Sequence, residues 1–416
     1  MDSTTQERQK PMVETLNREM PPRAKWRTLI LLSLAELLAM VVWFSASAVT
    51  SDLTELWQLN ANGQAWLTMS VQIGFVVGAL GSAILTLADR IPARWFFISA
   101  TFMAALLTGM IPFMADYPML ALTLRFMTGV CLAGVYPVGM KIMATWTQAD
   151  RGLGIGMLVG ALTIGSAAPH LLNAIGDIGD WQRVLWLASG LAASGGVIAL
   201  LFVDEGPYRT SAPRFDIGDI RHILTNRPVM LANLGYLGHM WELYAMWAWL
   251  FAFLSASYAL VDVSAQWAGI VTFIAIAIGG VGSVIAGKFA DQIGRTWVTS
   301  ASMLVSGGCA LIIGQFYGGH PLVLASIAIV WGFFIVADSA QFSASVSELA
   351  HKRYVGTALT LQTSMGFLLT LFTIRMIPTL ERTVGWEWAF AFLAIGPVIG
   401  IGAMMTLQGE KTKIMT

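Results

Sequence analysis

Gly238-His239-Met240-Trp241-Glu242-Leu243-Tyr244-Ala245-Met246-Trp247-Ala248-Trp249 decides how this chain is read. It sets an imidazole and a carboxylate inside an apolar run too long for the core helix of an ordinary soluble domain. Ionisable groups in such a run are costly to bury and mark a functional place by default. Glu36-Leu37-Leu38-Ala39-Met40-Val41-Val42-Trp43 repeats the pattern E-L-x-A-M-x-x-W of Glu242 to Trp249, 206 residues earlier. Two copies of one unit, each with a glutamate on its first helix, frame the rest of the chain.

Composition places both units in a membrane. Of 416 residues, 56% are hydrophobic and 12% charged, against roughly 25% charged in soluble proteins; mean hydropathy is +0.69. The net charge is zero, so no basic or acidic tail points to nucleic acid. Cys131 and Cys309 fall in apolar runs and read as small buried hydrophobes.

Runs of about 20 apolar residues read as membrane helices. Twelve are expected, starting near Thr28, Gly63, Ala93, Tyr117, Gly152 and Gln182, then near Val229, Ser264, Thr296, His320, Tyr354 and Trp386. With both termini inside, the inside segments hold 20 of the 24 basic residues and the outside loops only Arg183 and Arg382. That asymmetry orients the chain, with both termini in the cytoplasm. Ser45-Ala46-Ser47-Ala48 resembles a signal-peptidase site, but the run before it is too long, and cleavage would remove the partner of the Glu242 stretch. The expected organisation is a polar cytoplasmic tail over 1–26, a six-helix half over 27–203, a cytoplasmic loop over 204–227 with four arginines, a second half over 228–407 and a tail over 408–416.

The halves also match in their loops. Leu87-Ala88-Asp89-Arg90 follows the second run, and Gly287-Lys288-Phe289-Ala290-Asp291-Gln292-Ile293-Gly294-Arg295 follows the eighth; Asp89 and Asp291 are 202 residues apart. Arg151-Gly152-Leu153-Gly154 and Arg353-Tyr354-Val355-Gly356 open runs five and eleven at the same offset. Parallel halves of six spans indicate a secondary transporter with its site between the halves. On these residues the chain resembles the major facilitator superfamily: Gly287 to Arg295 fits the family's G-x-x-x-D-x-x-G-R. The first loop is a weaker copy in which Asp89, Arg90 and Arg94 fit while Leu85 and Pro92 replace glycines. Arg125-Phe126-Met127-Thr128-Gly129 resembles the second motif, R-x-x-x-G. The resemblance implies an all-helical fold of two pseudo-symmetric six-helix halves. It further implies that Asp89, Arg90, Arg94, Asp291 and Arg295 gate the cytoplasmic side, and that spans one, four, seven and ten line the path.

The buried ionisable residues fall mainly on those four spans: Glu36 on span one, Arg125 on four, His239 and Glu242 on seven, Asp338 on ten. Glu36, Met40 and Trp43 follow helical spacing, as do His239, Glu242, Met246 and Trp249, so each set forms one stripe. Withdrawal from water favours the protonated form of a carboxylate, which lets it load and release a proton in each cycle; His239 could share the proton of Glu242. The alternative for each is a structural ion-pair or hydrogen-bond network. Arg125 offers a fork for a carboxylate, or a partner for Glu36 or Asp338. Tyr136, Tyr244, Gln341, Trp43 and Trp249 add aromatic and amide surface for a small organic solute. The glycine-rich span five lacks the glycine–proline pair of the family's antiporter motif, which weakens an efflux reading. Spans two and eight lack arginine, which argues against nitrate.

No Walker loop, metal-ligand spacing or nucleophile–base pair is present, so ATP drive, cofactors, metals and enzymatic chemistry are not expected. The leading expectation is a proton-coupled importer of a small organic solute, favouring an anion. It would act as a monomer in the cytoplasmic membrane, with protons, solute and lipid as its partners. Proton-driven efflux of amphipathic compounds and a non-transporting sensor with a transporter fold remain alternatives.

Overall fold

The structure is a computed structural model that describes residues 22–147, 151–175, 180–208, 217–351 and 354–415. It is helical throughout, with no strand among the described residues. Among the described residues, ten helices are long and apolar enough to cross a membrane. Spans two to six are Asn62–Ile84, Ala93–Met114, Pro118–Ala144, Gly154–Ile175 and Trp181–Phe202. Spans eight to twelve are Ala265–Ile293, Arg295–Phe316, Pro321–Leu349, Val355–Val384 and Trp386–Glu410. The first and seventh helices complete the twelve, and they bear the glutamates. Span seven is one helix, Arg227–Ala259, whose apolar residues are diluted by Asn233, His239 and Glu242. Span one is helical over Pro22–Met40 and continues irregularly into Thr50–Trp57. The central loop contains a short helix, Ile220–Thr225, and the last helix runs on to Met415, through residues read as tail. Residues 1–21 lie outside the described residues.

The halves share one packing plan. Span two packs on four as eight does on ten, and span three on six as nine does on twelve. Span one packs on five and six as seven does on eleven and twelve. The halves meet where span five crosses eight and span two crosses eleven. At the first crossing a Cβ on Gly280 would lie 3.0 Å from Gly160 Cα. Glycine at position 280 lets the two backbones close without lipid between them. At the second crossing Thr370 Oγ1 donates to Gln72 Oε1.

Spans four and ten are interrupted at matching places. Span four stops at Leu132 and resumes at Tyr136; span ten stops at Ala337 and resumes at Ser339. Span one breaks the symmetry, because it unwinds after Met40 while span seven does not. Free carbonyls inside a bilayer must find donors, so irregular backbone survives there only against protein. Arg125 supplies two of them, donating from Nη1 to Val42 O at 2.7 Å and from Nη2 to Trp43 O at 2.5 Å. Ser45 Oγ also donates to Val42 O, and Asn173 Nδ2 donates to Ala48 O at 2.8 Å.

The unwound segment pushes Trp43 and Phe44 between the halves. Trp43 meets Phe75 of its own half (5.0 Å between centroids) and Tyr244 and Phe367 of the other (6.1 and 5.7 Å). Phe44 meets Tyr244 and Trp247 at 6.1 and 5.8 Å. Each such pair contributes about 0.5–1.5 kcal/mol beyond its buried area. Together they form an aromatic layer across the middle of the bundle.

Candidate functional site

The ionisable residues form two separate groups, one in each half. Glu36 and Glu242 do not face each other across the interface; each turns to spans three and four, or nine and ten, of its own half. Glu242 is 1% exposed and accepts two hydrogen bonds, from Trp331 Nε1 at 2.6 Å and Ser306 Oγ at 2.9 Å. His239 projects from the preceding turn toward span ten instead. Its Nδ1 stands 2.9 Å from Asp338 Oδ1, an ion-pair approach short of an aligned hydrogen bond, and its Nε2 lies 2.8 Å from Ser339 Oγ. Three residues along a helix turn the side chain about 60° away from strict alignment, enough for the interruption of span ten to capture His239. His239 and Glu242 are one turn apart on span seven, and Asp338 is held against His239. Two carboxylates and one imidazole therefore occupy one buried neighbourhood.

Glu36 is fully buried, and neither carboxylate oxygen has a hydrogen-bond partner. It lies against Gly139, where an added Cβ would come within 2.5 Å of Glu36 Oε2 and 3.5 Å of the Phe97 ring. Glycine there makes the room that the carboxylate occupies. Tyr136 opens the same helical segment, one turn before Gly139. Arg125 is bound to span-one carbonyls and, at 3.3 Å, to Ser45 Oγ. Its partners are thus backbone and hydroxyl, not Glu36 or Asp338, while its Nε remains without a partner.

Trp43 and Trp249 are matched in sequence but not in place. Trp43 belongs to the aromatic layer, whereas Trp249 donates from Nε1 to Ile374 O at 2.8 Å and lines a cleft toward the far end of span seven. The unwinding after Met40 ends the stripe begun by Glu36, whereas the stripe of Glu242 continues. Tyr244 sits in the aromatic layer.

Arg295 binds span ten. Its Nη1 donates to Gln341 Oε1 at 2.6 Å, its Nε and Nη2 contact Glu348 Oε1 at 2.9 and 2.8 Å, and Asp291 stands off at 3.7 Å. Gln341 is therefore a partner of Arg295, which opens span nine directly after Gly294; Gly287 to Ile293, read as a loop, belong to the helix of span eight. The first loop is different: Arg94 pairs with Asp204 at 2.6 Å and donates to Leu200 O at the end of span six. Arg90 is exposed, and the side chain of Asp89 lies outside the described residues.

Ser306, Trp331 and Ser339 were not legible as site residues. Ser306 sits in a run of small residues and Trp331 in an apolar stretch; only the fold shows that both reach Glu242.

Comparison with known proteins agrees with this architecture. The sequence profile of the Major Facilitator Superfamily matches residues 32–374. Hexuronate transporters of two Escherichia coli strains are 22% identical over 434 aligned positions, covering 94% of this chain and 95% of theirs. The solved structure of a mutant of the nucleoside transporter NupG superposes with a TM-score of 0.72 at 15% identity, covering 91% of this chain and 99% of that one. With its profile matched over most of its length, twelve helices in two like halves and an interface of the kind described, this chain belongs to the Major Facilitator Superfamily.

Proposed function

We propose that the protein is a proton-coupled secondary transporter of a small organic solute, working by alternating access of its two halves. The observation that carries the reading is the buried neighbourhood of Glu242, Asp338 and His239. Uncompensated charge costs several kcal/mol in a dry interior. Two carboxylates and one imidazole are electroneutral there only with two protons bound. Releasing a proton leaves a net negative charge that favours a rehydrated arrangement, which links proton release to a change of conformation. Glu242 is the proton carrier in this scheme, and Glu36 orients the solute. The aromatic layer and the Gln72–Thr370 bond are what the halves must part as they rock.

The relatives make hexuronates the first solutes to test, and the unpartnered Nε–H of Arg125 offers one donor to an anion. We place the protein in the cytoplasmic membrane as a monomer, with both termini inside. Reconstituted into vesicles with an imposed pH gradient, it should accumulate a labelled hexuronate, and a protonophore should abolish the accumulation. Accumulation that persists with the protonophore present would rule out proton coupling.

A further inference from the structure

Between spans one, two and seven, at the end of the bundle opposite Asp291 and Arg295, lies a cleft of about 280 Å³. It is separate from the buried ionisable residues. Along span seven it is lined from Ala248 to Ala252, and Tyr244 and Trp247 of the aromatic layer come between it and Glu242. At about 1.5 Å rise per residue, Phe251 stands roughly 13 Å from Glu242 along the helix.

The two walls of the cleft differ in chemistry. One wall presents Ser51, Thr54 and Gln64 from spans one and two; the other presents Trp249 and Phe251 from span seven. Trp249 has committed its only polar group to Ile374 O, so it offers the cleft carbon alone. Thr54 Oγ1 is shielded from solvent and has no partner, an unfavourable state for a hydroxyl. Phe251 in turn covers His170, 5.6 Å away between centroids, whose two buried ring nitrogens also have no partner. A saturated ring bearing hydroxyls has matching faces: axial C–H groups for an aromatic wall, and hydroxyls for a wall of side-chain donors and acceptors. The volume suits one such ring, just below the range of about 300–1,000 Å³ for pockets that hold larger ligands.

We infer that this cleft is an entry site that captures a polyhydroxylated ring before the aromatic layer parts. The inference rests on the transport reading above for its purpose, but not for its measurement. Purified full-length protein would be titrated calorimetrically with D-glucose, D-glucuronate and cyclohexanecarboxylate. Both sugars should bind, and the acid without ring hydroxyls should bind at least about tenfold more weakly than D-glucuronate. Thr54→Val and Gln64→Leu, two changes on half-exposed surface, should each weaken both sugars about 2–10-fold, the range for one lost neutral hydrogen bond. Equal binding of cyclohexanecarboxylate, unchanged affinity in both variants, or no binding of either sugar would each overturn the site. Failure of pH-driven uptake in wild-type vesicles would sink the transport reading alone, since sugar binding and its loss are read without transport.

Discussion

Trp331→Phe probes the carboxylate that the account places at the centre of coupling. The indole N–H is one of two donors to Glu242, at 2.6 Å, and phenylalanine removes it. The edge-on contact with Phe390, 5.2 Å between centroids, can largely survive as a contact between two phenyl rings. A hydrogen bond to a charged acceptor contributes about 1.5–3 kcal/mol and one to a neutral acceptor about 0.5–1.5 kcal/mol. The substitution therefore costs the ionised form about 1–1.5 kcal/mol more than the protonated form, and about 1.4 kcal/mol corresponds to one pH unit. Losing a stabiliser of the ionised form moves deprotonation to higher pH, by about one unit. Lost ring volume weakens the fold at every pH and leaves the midpoint where it is. The carboxyl stretch in infrared difference spectra, titrated in purified protein and assigned by its absence from Glu242→Gln, reports the midpoint without any solute. A midpoint moved by less than about 0.3 unit, or moved toward acid, would mean that the indole N–H does not stabilise the ionised Glu242.

Three further outcomes follow from the contacts. Arg125→Lys keeps the cation but loses the fork that holds Val42 O and Trp43 O. Unfolding in mixed micelles titrated with dodecyl sulfate should show a loss of about 1.5–3 kcal/mol, one charge-assisted hydrogen bond; unchanged stability would mean that the unwound segment holds itself. Arg295 lies closer to Gln341 and Glu348 than to Asp291, so Arg295→Met should slow counterflow more than Asp291→Asn, with half-saturation nearly unchanged in both. The reverse order would place the gate on the aspartate. A reporter fused after Met415 should be active only on the cytoplasmic side, as the distribution of basic residues requires; activity outside would invert the topology.

The fold was legible because its determinants are periodic and compositional. Apolar length set the spans, and the repeated E-L-x-A-M-x-x-W and loop aspartates set the two halves. The helix starts fell within a few residues for most spans, since Pro118, Pro321 and the residues flanking Arg151 and Arg295 punctuate the chain locally. The site was legible only in part. That Glu36, Arg125, His239, Glu242 and Asp338 would be buried followed from the cost of lipid exposure. Their partners did not follow, because partners come from other spans. Arg125 meets carbonyls freed by the unwinding of Val41 to Ala46, and no pattern in that stretch announces the unwinding. His239 and Glu242 share a stripe, yet the interruption of span ten at Asp338 divides them between different neighbours. The matching interruption of span four lies beside Glu36, where Gly139 leaves room for the carboxylate but supplies it no donor.

Glu242→Gln separates solute exchange from proton-driven accumulation. Glutamine keeps the size of the side chain and can still meet Trp331 and Ser306, but it cannot release a proton and so stands for the permanently loaded carrier. In vesicles the variant should exchange labelled for unlabelled solute at a rate near that of the wild type, yet fail to accumulate solute under an imposed pH gradient. Accumulation that still rises in proportion to the pH difference would contradict the account and move the coupling site to Asp338.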